Sequence, residues 1–241
     1  MSERHGIDQI IITCEHGGNE VPSSYARLFR GADGILKTHL GYDIGALAVA
    51  KDIAAVLHAP LHASTTTRLL IDLNRSVGHT SCFSEFTNGL DNLAKLALIR
   101  RYYAPYRTAV EKQIGSWVKR GRRVLHLSVH SFTPVLRGVR RNADIGLLYD
   151  SRRTREKELV ASWLWTLSLE SPHRVRRNYP YLGRSDGFTT ALRRQFPAAR
   201  YLGIELEINQ RLLASAAQEP FIRGVIVESL QTLLGPRTGR R

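Results

Sequence analysis

At 241 residues with 43% hydrophobic side chains, the chain can bury a substantial core, which sets disorder aside. No stretch reaches the roughly 18 uninterrupted apolar residues of a membrane span, and Met1-Ser2-Glu3-Arg4-His5-Gly6 lacks the layout of a secretory signal, so a cytoplasmic protein is expected. A net charge of +14 raises nucleic acid as a partner, but the arginines fall in scattered pairs such as Arg100-Arg101, Arg122-Arg123 and Arg176-Arg177. They form no basic helix or aromatic-interleaved ribbon, which argues against nucleic acid and leaves a positive field suited to small anionic substrates.

Apolar runs of strand length alternate with longer segments of helical period, the pattern of an α/β chain with a mainly parallel sheet covered by helices. In chain order the expected elements are a strand at Gln9 to Cys14, a helix at Asp43 to His58 and a strand at Leu61 to Thr66. A long polar loop follows at Ser76 to Asn88, then a helix at Asn92 to Arg120 and strands at Val124 to Ser131 and Asp144 to Tyr149. The last four are helices at Thr154 to Glu170 and Asp186 to Phe196, a strand at Tyr201 to Ile208 and a helix at Gln218 to Leu234. Asp43 and Asp186 stand where helix caps are needed. No repeat and no Gly/Ser/Pro linker divides the chain, so residues 1–235 are expected as one domain with a frayed basic tail at 236–241. Cys14 and Cys82 make no disulfide framework and are expected as free thiols.

Ligands of open α/β sheets bind beyond the carboxyl ends of the strands, and three strands deliver reactive side chains there. The first runs into Glu15-His16-Gly17-Gly18-Asn19, setting His16 on a glycine turn; the central strand ends in His130; the late strand carries Glu205 and Glu207 on one face by its period of two. A buried Glu-x-Glu needs a cation opposite it, and a metal would supply one. Two histidines and one carboxylate are a familiar catalytic zinc set with room for a water of lowered pKa. The third ligand is open between Asp43 and Glu20, and His126, on the face of His130, is either a further ligand or a core residue. Cys14 reads as a small apolar core residue before it reads as a nucleophile.

Arg68-Leu69-Leu70-Ile71-Asp72-Leu73-Asn74-Arg75 forms a second constellation. Arg68 and Arg75 can hold a carboxylate through paired hydrogen bonds with Asn74 adding a donor, or Asp72 can simply pair with a nearby arginine. A third is the loop from Asn178 to Thr190, punctuated by Pro180, Gly183 and Gly187, whose Arg184, Asp186 and Thr189 can wrap a ligand.

At these residues the sequence resembles the N-formylglutamate amidohydrolase family. The ordered set that carries the likeness is Ile12-Thr13-Cys14-Glu15-His16-Gly17-Gly18-Asn19-Glu20-Val21-Pro22, Gly41-Tyr42-Asp43-Ile44-Gly45-Ala46, Arg68 to Arg75, Ser128-Val129-His130-Ser131-Phe132-Thr133-Pro134, Asn178 to Thr190, and Gly203-Ile204-Glu205-Leu206-Glu207-Ile208. The resemblance implies a phosphorylase/hydrolase-like three-layer α/β/α fold, akin to zinc carboxypeptidases and zinc-dependent cell-wall amidases, with a separate glutamate base. In those amidases the carboxylate ligand opens the helix after the first strand, which favours Asp43 over Glu20. The short His-x-x-Glu spacing of the carboxypeptidases would instead put Asn19 at a ligand position. The Asp72-Leu73-Asn74-Arg75 segment is similar to the substrate-carboxylate clamp of acyl-amino-acid deacylases, and Glu207 matches the family's late glutamate better than Glu205 does.

The reading that follows is a hydrolase of linear amide bonds in a small N-acyl amino acid. One zinc is held by His16, Asp43 and His130, Glu207 is general base and then acid, and Arg75, with Arg68 or Arg184, anchors the substrate carboxylate. A peptidoglycan-type amidase or peptidase on the same fold and a metal-free binder of anionic ligands are the alternatives.

Overall fold

The computed structural model describes residues 5–235; the tail at 236–241 lies outside the described residues. The chain opens with β1 (Gln9–Cys14), a 3-10 turn (Ser23–Phe29), α1 (Asp33–Leu36), α2 (Ala46–Val56) and β2 (Leu61–Ala63). After a long irregular stretch come α3 (Asn92–Leu98), α4 (Ala104–Lys119) and β3 (Val124–Phe132), then the hairpin β4 (Val135–Leu136) and β5 (Val139–Arg140). The rest is β6 (Ile145–Leu148), α5 (Thr154–Glu170), β7 (Val175–Arg177), α6 (Phe188–Gln195), β8 (Tyr201–Asn209), α7 (Gln210–Leu213) and α8 (Glu219–Leu234). The main sheet has the order β2-β1-β3-β8-β6-β7. It is mixed but mostly parallel: β2, β1, β3 and β8 run together, β6 is antiparallel to β8, and β7 is parallel to β6.

The period of two divides the central strands into a core face and a chemical face. Ile10, Ile12, Leu125, Leu127, Ile204 and Leu206 point one way, into an apolar layer with α2, α5 and α8 that includes the fully buried Trp163. On the other face Ile11, Val124 and Tyr201, near the strand starts, pack against Val110 and Ile114 of α4 and Phe188 and Leu192 of α6. Toward the strand ends this second face turns polar, with Thr13, Ser128, His130, Glu205 and Glu207 all buried. His126 lies between the two regimes. Its Nε2 sits 2.7 Å from Thr13 Oγ1 and its Nδ1 2.8 Å from Tyr201 Oη, and burial lowers its pKa to about 4, which makes it a neutral core residue.

Several boundaries differ from the sequence expectation for identifiable reasons. The helix expected from Asp43 starts at Ala46, because Gly45 takes the left-handed conformation at φ 79° and the Asp43 carboxylate turns to His130 instead of capping. The strand expected to reach Thr66 stops at Ala63; beyond it the chain receives the turn after β1, with Gly17 N donating to Ser64 O and Glu20 N to Thr65 O, both at 2.9 Å. Gly18 is required there, since a Cβ would lie 2.6 Å from Thr65 O. The helix expected over Asn92 to Arg120 is interrupted by a π turn at Ile99–Tyr103, where Pro105 has no N–H to offer the Arg101 carbonyl. The helix expected from Asp186 begins at Phe188, whose N–H is taken by Asn74 Oδ1 at 2.7 Å, while Asp186 accepts from Ser76 N at 2.9 Å.

The stretch from Ser76 to Asn88 is irregular, and its Cys82 joins Phe29, Leu70, Ile71 and Leu98 in a separate apolar cluster. Both cysteines are free and buried. The short α1, α7, β7 and the β4–β5 hairpin carry no periodic signal long enough to read from sequence. No helix among the described residues is long and apolar enough to cross a membrane.

Candidate active site

The end of β1, the turn before α2 and the end of β3 converge on one point. The Asp43 N–H donates to His16 O at 2.9 Å, which ties the α2 turn to the segment after β1. Asp43 Oδ2 then faces His130 Nδ1 at 2.7 Å and His16 Nδ1 at 3.4 Å, and the two imidazole centroids are 5.2 Å apart. One ligating atom from each of these three buried residues lies within 4.8 Å of the other two, a grouping that could hold a metal ion.

The far nitrogen of each imidazole is held by a carboxylate. His16 Nε2 is 2.8 Å from Asp72 Oδ1; His130 Nε2 is 3.2 Å from Glu15 Oε2 and 2.9 Å from Ser128 Oγ. Such partners fix ring orientation and raise ligand basicity around a metal. Arg68 bridges the carboxylates, with Nη1 donating to Asp43 Oδ1 at 3.2 Å and Nη2 to Asp72 Oδ2 at 2.8 Å. Burial opposes ionisation of Glu15 and Asp43, yet the histidines beside them outweigh it and hold both far below the usual carboxylate range. Asp72 is held low in the same way, with Arg68 opposing burial most strongly. Burial likewise disfavours the charged form of His130, but hydrogen bonds to Asp43 and Glu15 raise its pKa well above the ordinary value. Three buried carboxylates, two of them on the half-buried Arg68 and the third on His130, make a centre that favours a further positive charge.

Across the ladder from His130 stands Glu207. Its Oε2 is buried with no hydrogen-bond partner among the described residues. Burial pushes its pKa up to about 8, Asp43 and Glu205 adding to this against the pull of His130. Glu205 is engaged, accepting a hydrogen bond from Thr189 Oγ1. A cavity of about 250 Å³ opens on these groups, lined by His16, Asp43, Arg75, His130, Glu205 and Glu207 among others. Arg75 donates from Nη1 to Asp186 O and keeps a buried Nε without a partner among the described residues.

The model of a family described as N-formylglutamate amidohydrolase matches residues 8–214. The chain belongs to this family. It is therefore an amidohydrolase, an enzyme of amide bonds. Among solved structures, the gene product Atu2144 from Agrobacterium tumefaciens is similar over 96% of this chain and 93% of its own, with 30% identity and a TM-score of 0.80. The N-formylglutamate amidohydrolase from Ralstonia eutropha JMP134 shares the fold over 94% of each chain, with 20% identity and a TM-score of 0.65. No curated protein sequence matches the chain.

Within this amidohydrolase the residues singled out from sequence fall into three groups. His16, Asp43, His130, Glu205, Glu207, Asn74, Arg75 and Asp186 all reach the cavity wall, as does Arg68, whose guanidinium is already spent on Asp43 and Asp72. Thr189 is buried behind the wall and bonds Glu205. Glu20 and Arg184 are exposed and stand apart: Glu20 accepts from Thr65 Oγ1 at 2.7 Å, and neither lines the cavity. Cys14 belongs to the apolar core, its thiol pushed up by burial first and by Glu15 and Asp43 second. Sequence reasoning passed over Glu15, and it read Asp72 as a partner for arginine or part of a clamp, not as the residue that orients His16. The signal for Glu15 was its place two residues past Thr13, on the polar side of β1.

Proposed function

We propose that the chain is a zinc-dependent amidohydrolase that cleaves a small, carboxylate-bearing N-acyl amino acid of the N-formylglutamate type. The observation that carries this reading is the buried cluster of His16, Asp43 and His130 beside a buried glutamate whose Oε2 has no partner among the described residues. The donor set fits the ion: two imidazole nitrogens and one carboxylate oxygen suit zinc, and each imidazole is backed by a carboxylate. When bound, zinc supplies Lewis acidity, which acidifies water and polarises a carbonyl oxygen.

The protein's own side chains do the rest. Glu207, with a pKa pushed up to about 8, exchanges a proton readily near neutrality. It takes a proton from the water that adds to the acyl carbon and returns it to the nitrogen as the C–N bond breaks. One water is consumed, and a carboxylic acid and an amine leave. Arg75 offers the unpartnered Nε to the substrate carboxylate and so sets the amide against Glu207. The small cavity excludes bulky peptides in favour of small molecules.

The test is to purify the protein, measure bound metal by elemental analysis and assay release of glutamate from N-formyl-L-glutamate. Chelation should abolish turnover and added zinc restore it. Undiminished turnover by metal-free protein would remove the proposal.

A further inference from the structure

A second cavity, of about 280 Å³, adjoins the catalytic one, and its lining includes Arg140, Arg141, Arg174, Arg211, Asp144 and Asn209. Two observations make it an extension of the site. First, Glu205, Glu207 and Asn209 share one face of β8 by its period of two; the glutamates line the catalytic cavity and Asn209 the arginine-lined one. The strand rise sets Asn209 about 7 Å beyond Glu207. Second, the two cavities share a wall: Tyr181 lines the catalytic one, and Arg141 Nη2 donates to its hydroxyl at 2.9 Å while the guanidinium carbon lies 5.0 Å from its ring centroid.

The charge in this second cavity is unbalanced. Asp144 is its acid, and it is occupied by Arg211, by the Arg174 N–H at 2.9 Å and by His173 Nδ1 at 3.7 Å. The guanidinium groups of Arg140 and Arg174 pair with no carboxylate among the described residues and face water. The position of the cavity assigns it to one side of the reaction. Arg75 bonds Asp186, and the turn from Asp186 to Thr189 adjoins Glu205, with a Cβ built on Gly187 falling 3.6 Å from Glu205 Oε1. Along β8 the order is thus the Arg75 side, Glu207, then the arginine-lined cavity. A substrate with its amino-acid carboxylate at Arg75 and its scissile carbonyl by Glu207 directs its acyl group toward Arg140 and Arg174.

We propose that the acyl group carries its own carboxylate, a dicarboxylic acyl chain whose far end docks on Arg140 and Arg174. This rests on the proposed amidohydrolase reading and narrows its substrate class. A formyl group does not span the distance to Asn209, whereas a four-carbon diacid chain reaches toward it, and guanidinium forks recognise a carboxylate with paired hydrogen bonds.

The experiment compares N-succinyl-L-glutamate with N-butyryl-L-glutamate, which has the same chain length but no distal charge, and with N-formyl-L-glutamate. For the zinc-loaded protein, kcat/KM for the succinyl compound is expected to exceed that for the butyryl compound at least tenfold. In an Arg140→Gln/Arg174→Gln variant the ratio should fall toward one. A parallel calorimetric titration uses the zinc-loaded Glu207→Gln protein, with tighter binding of the succinyl compound expected, again at least tenfold and lost with the two arginines. If no compound is hydrolysed but the binding preference and its loss are seen, the inference stands and the amidohydrolase reading for these substrates falls. Equal binding of the succinyl and butyryl compounds, or a preference that survives loss of both arginines, overturns the inference even if N-formyl-L-glutamate is cleaved.

Discussion

Glu207→Gln separates two consequences of burying one carboxyl group. The glutamine keeps the volume and cannot accept a proton, so turnover is expected to fall by about 10²- to 10⁴-fold, the range for loss of a positioned acid-base group, with zinc content unchanged. The second consequence concerns stability. Burial, helped by Asp43 and Glu205, raises the Glu207 pKa from 4.5 in the unfolded chain to about 8 in the fold. Between those values the folded state binds the extra proton, so the contribution is complete below pH 4.5 and is lost as pH rises through 8. The loss is about 1.4 kcal/mol per pH unit, or about 3 kcal/mol between pH 5 and 7. Glutamine has no such slope, and any fixed cost of its buried amide cancels when two pH values are compared. Urea unfolding of chelator-treated wild type and variant at a series of pH values between 5 and 7.5 measures the gap. The variant should gain on the wild type by about 3 kcal/mol over two pH units. A gap that stays flat would refute the claim that Glu207 sits protonated in the metal-free fold.

Three further outcomes are expected. Asp72→Asn removes the anionic partner of His16 Nε2 and should weaken zinc binding by about 10- to 100-fold in a competition titration with a chromophoric chelator; unchanged affinity would reduce Asp72 to a partner of Arg68. Arg75→Ala should lower kcat/KM for N-formyl-L-glutamate by about 10- to 100-fold, mainly through KM, and a loss confined to kcat would place the carboxylate elsewhere. His126, buried and neutral with a pKa of about 4, makes the fold most stable above pH 6.5. Stability is lost as pH falls toward 4 because the unfolded chain takes the proton first, a difference of about 3 kcal/mol. An NMR titration that put this ring above 6 would contradict the buried hydrogen bonds assigned to it.

What the sequence disclosed, and what it hid, follows from the range of each interaction. Alternation is a local property, so β1, β3 and β8 and the shared face of Glu205 and Glu207 could be read directly. The ends of elements were misplaced where a side chain had a distant partner. Asp43 and Asp186 both look like caps from their neighbours, yet the first bonds His130 from 87 positions away and the second Ser76 from 110. Asn74 has the opposite history: a polar residue in an arginine-rich segment supplies the cap of α6 from 114 positions away. Arg75 and Arg184 are both read from sequence as anchors of a carboxylate, Arg75 first and Arg184 as its helper, and packing leaves Arg184 exposed and Arg75 on the cavity wall.

The same long-range bonds explain why the site stays ordered although its charges are buried. Removing a partner from a buried ion pair costs about 3 to 5 kcal/mol because the other charge is stranded, so each acidic group here needs a cationic or proton-donating neighbour. Glu15 and Asp43 share His130, and Asp43 and Asp72 share Arg68 and His16. With Ser128 Oγ donating to Glu15, every carboxylate in this chain of contacts is held from two sides, which fixes the direction of both imidazoles. Glu207 is the exception, for its Oε2 lies outside the network with no partner among the described residues. A group left that way beside a network of paired charges is destabilising, and the proton transfer proposed for Glu207 is the function that offsets this cost.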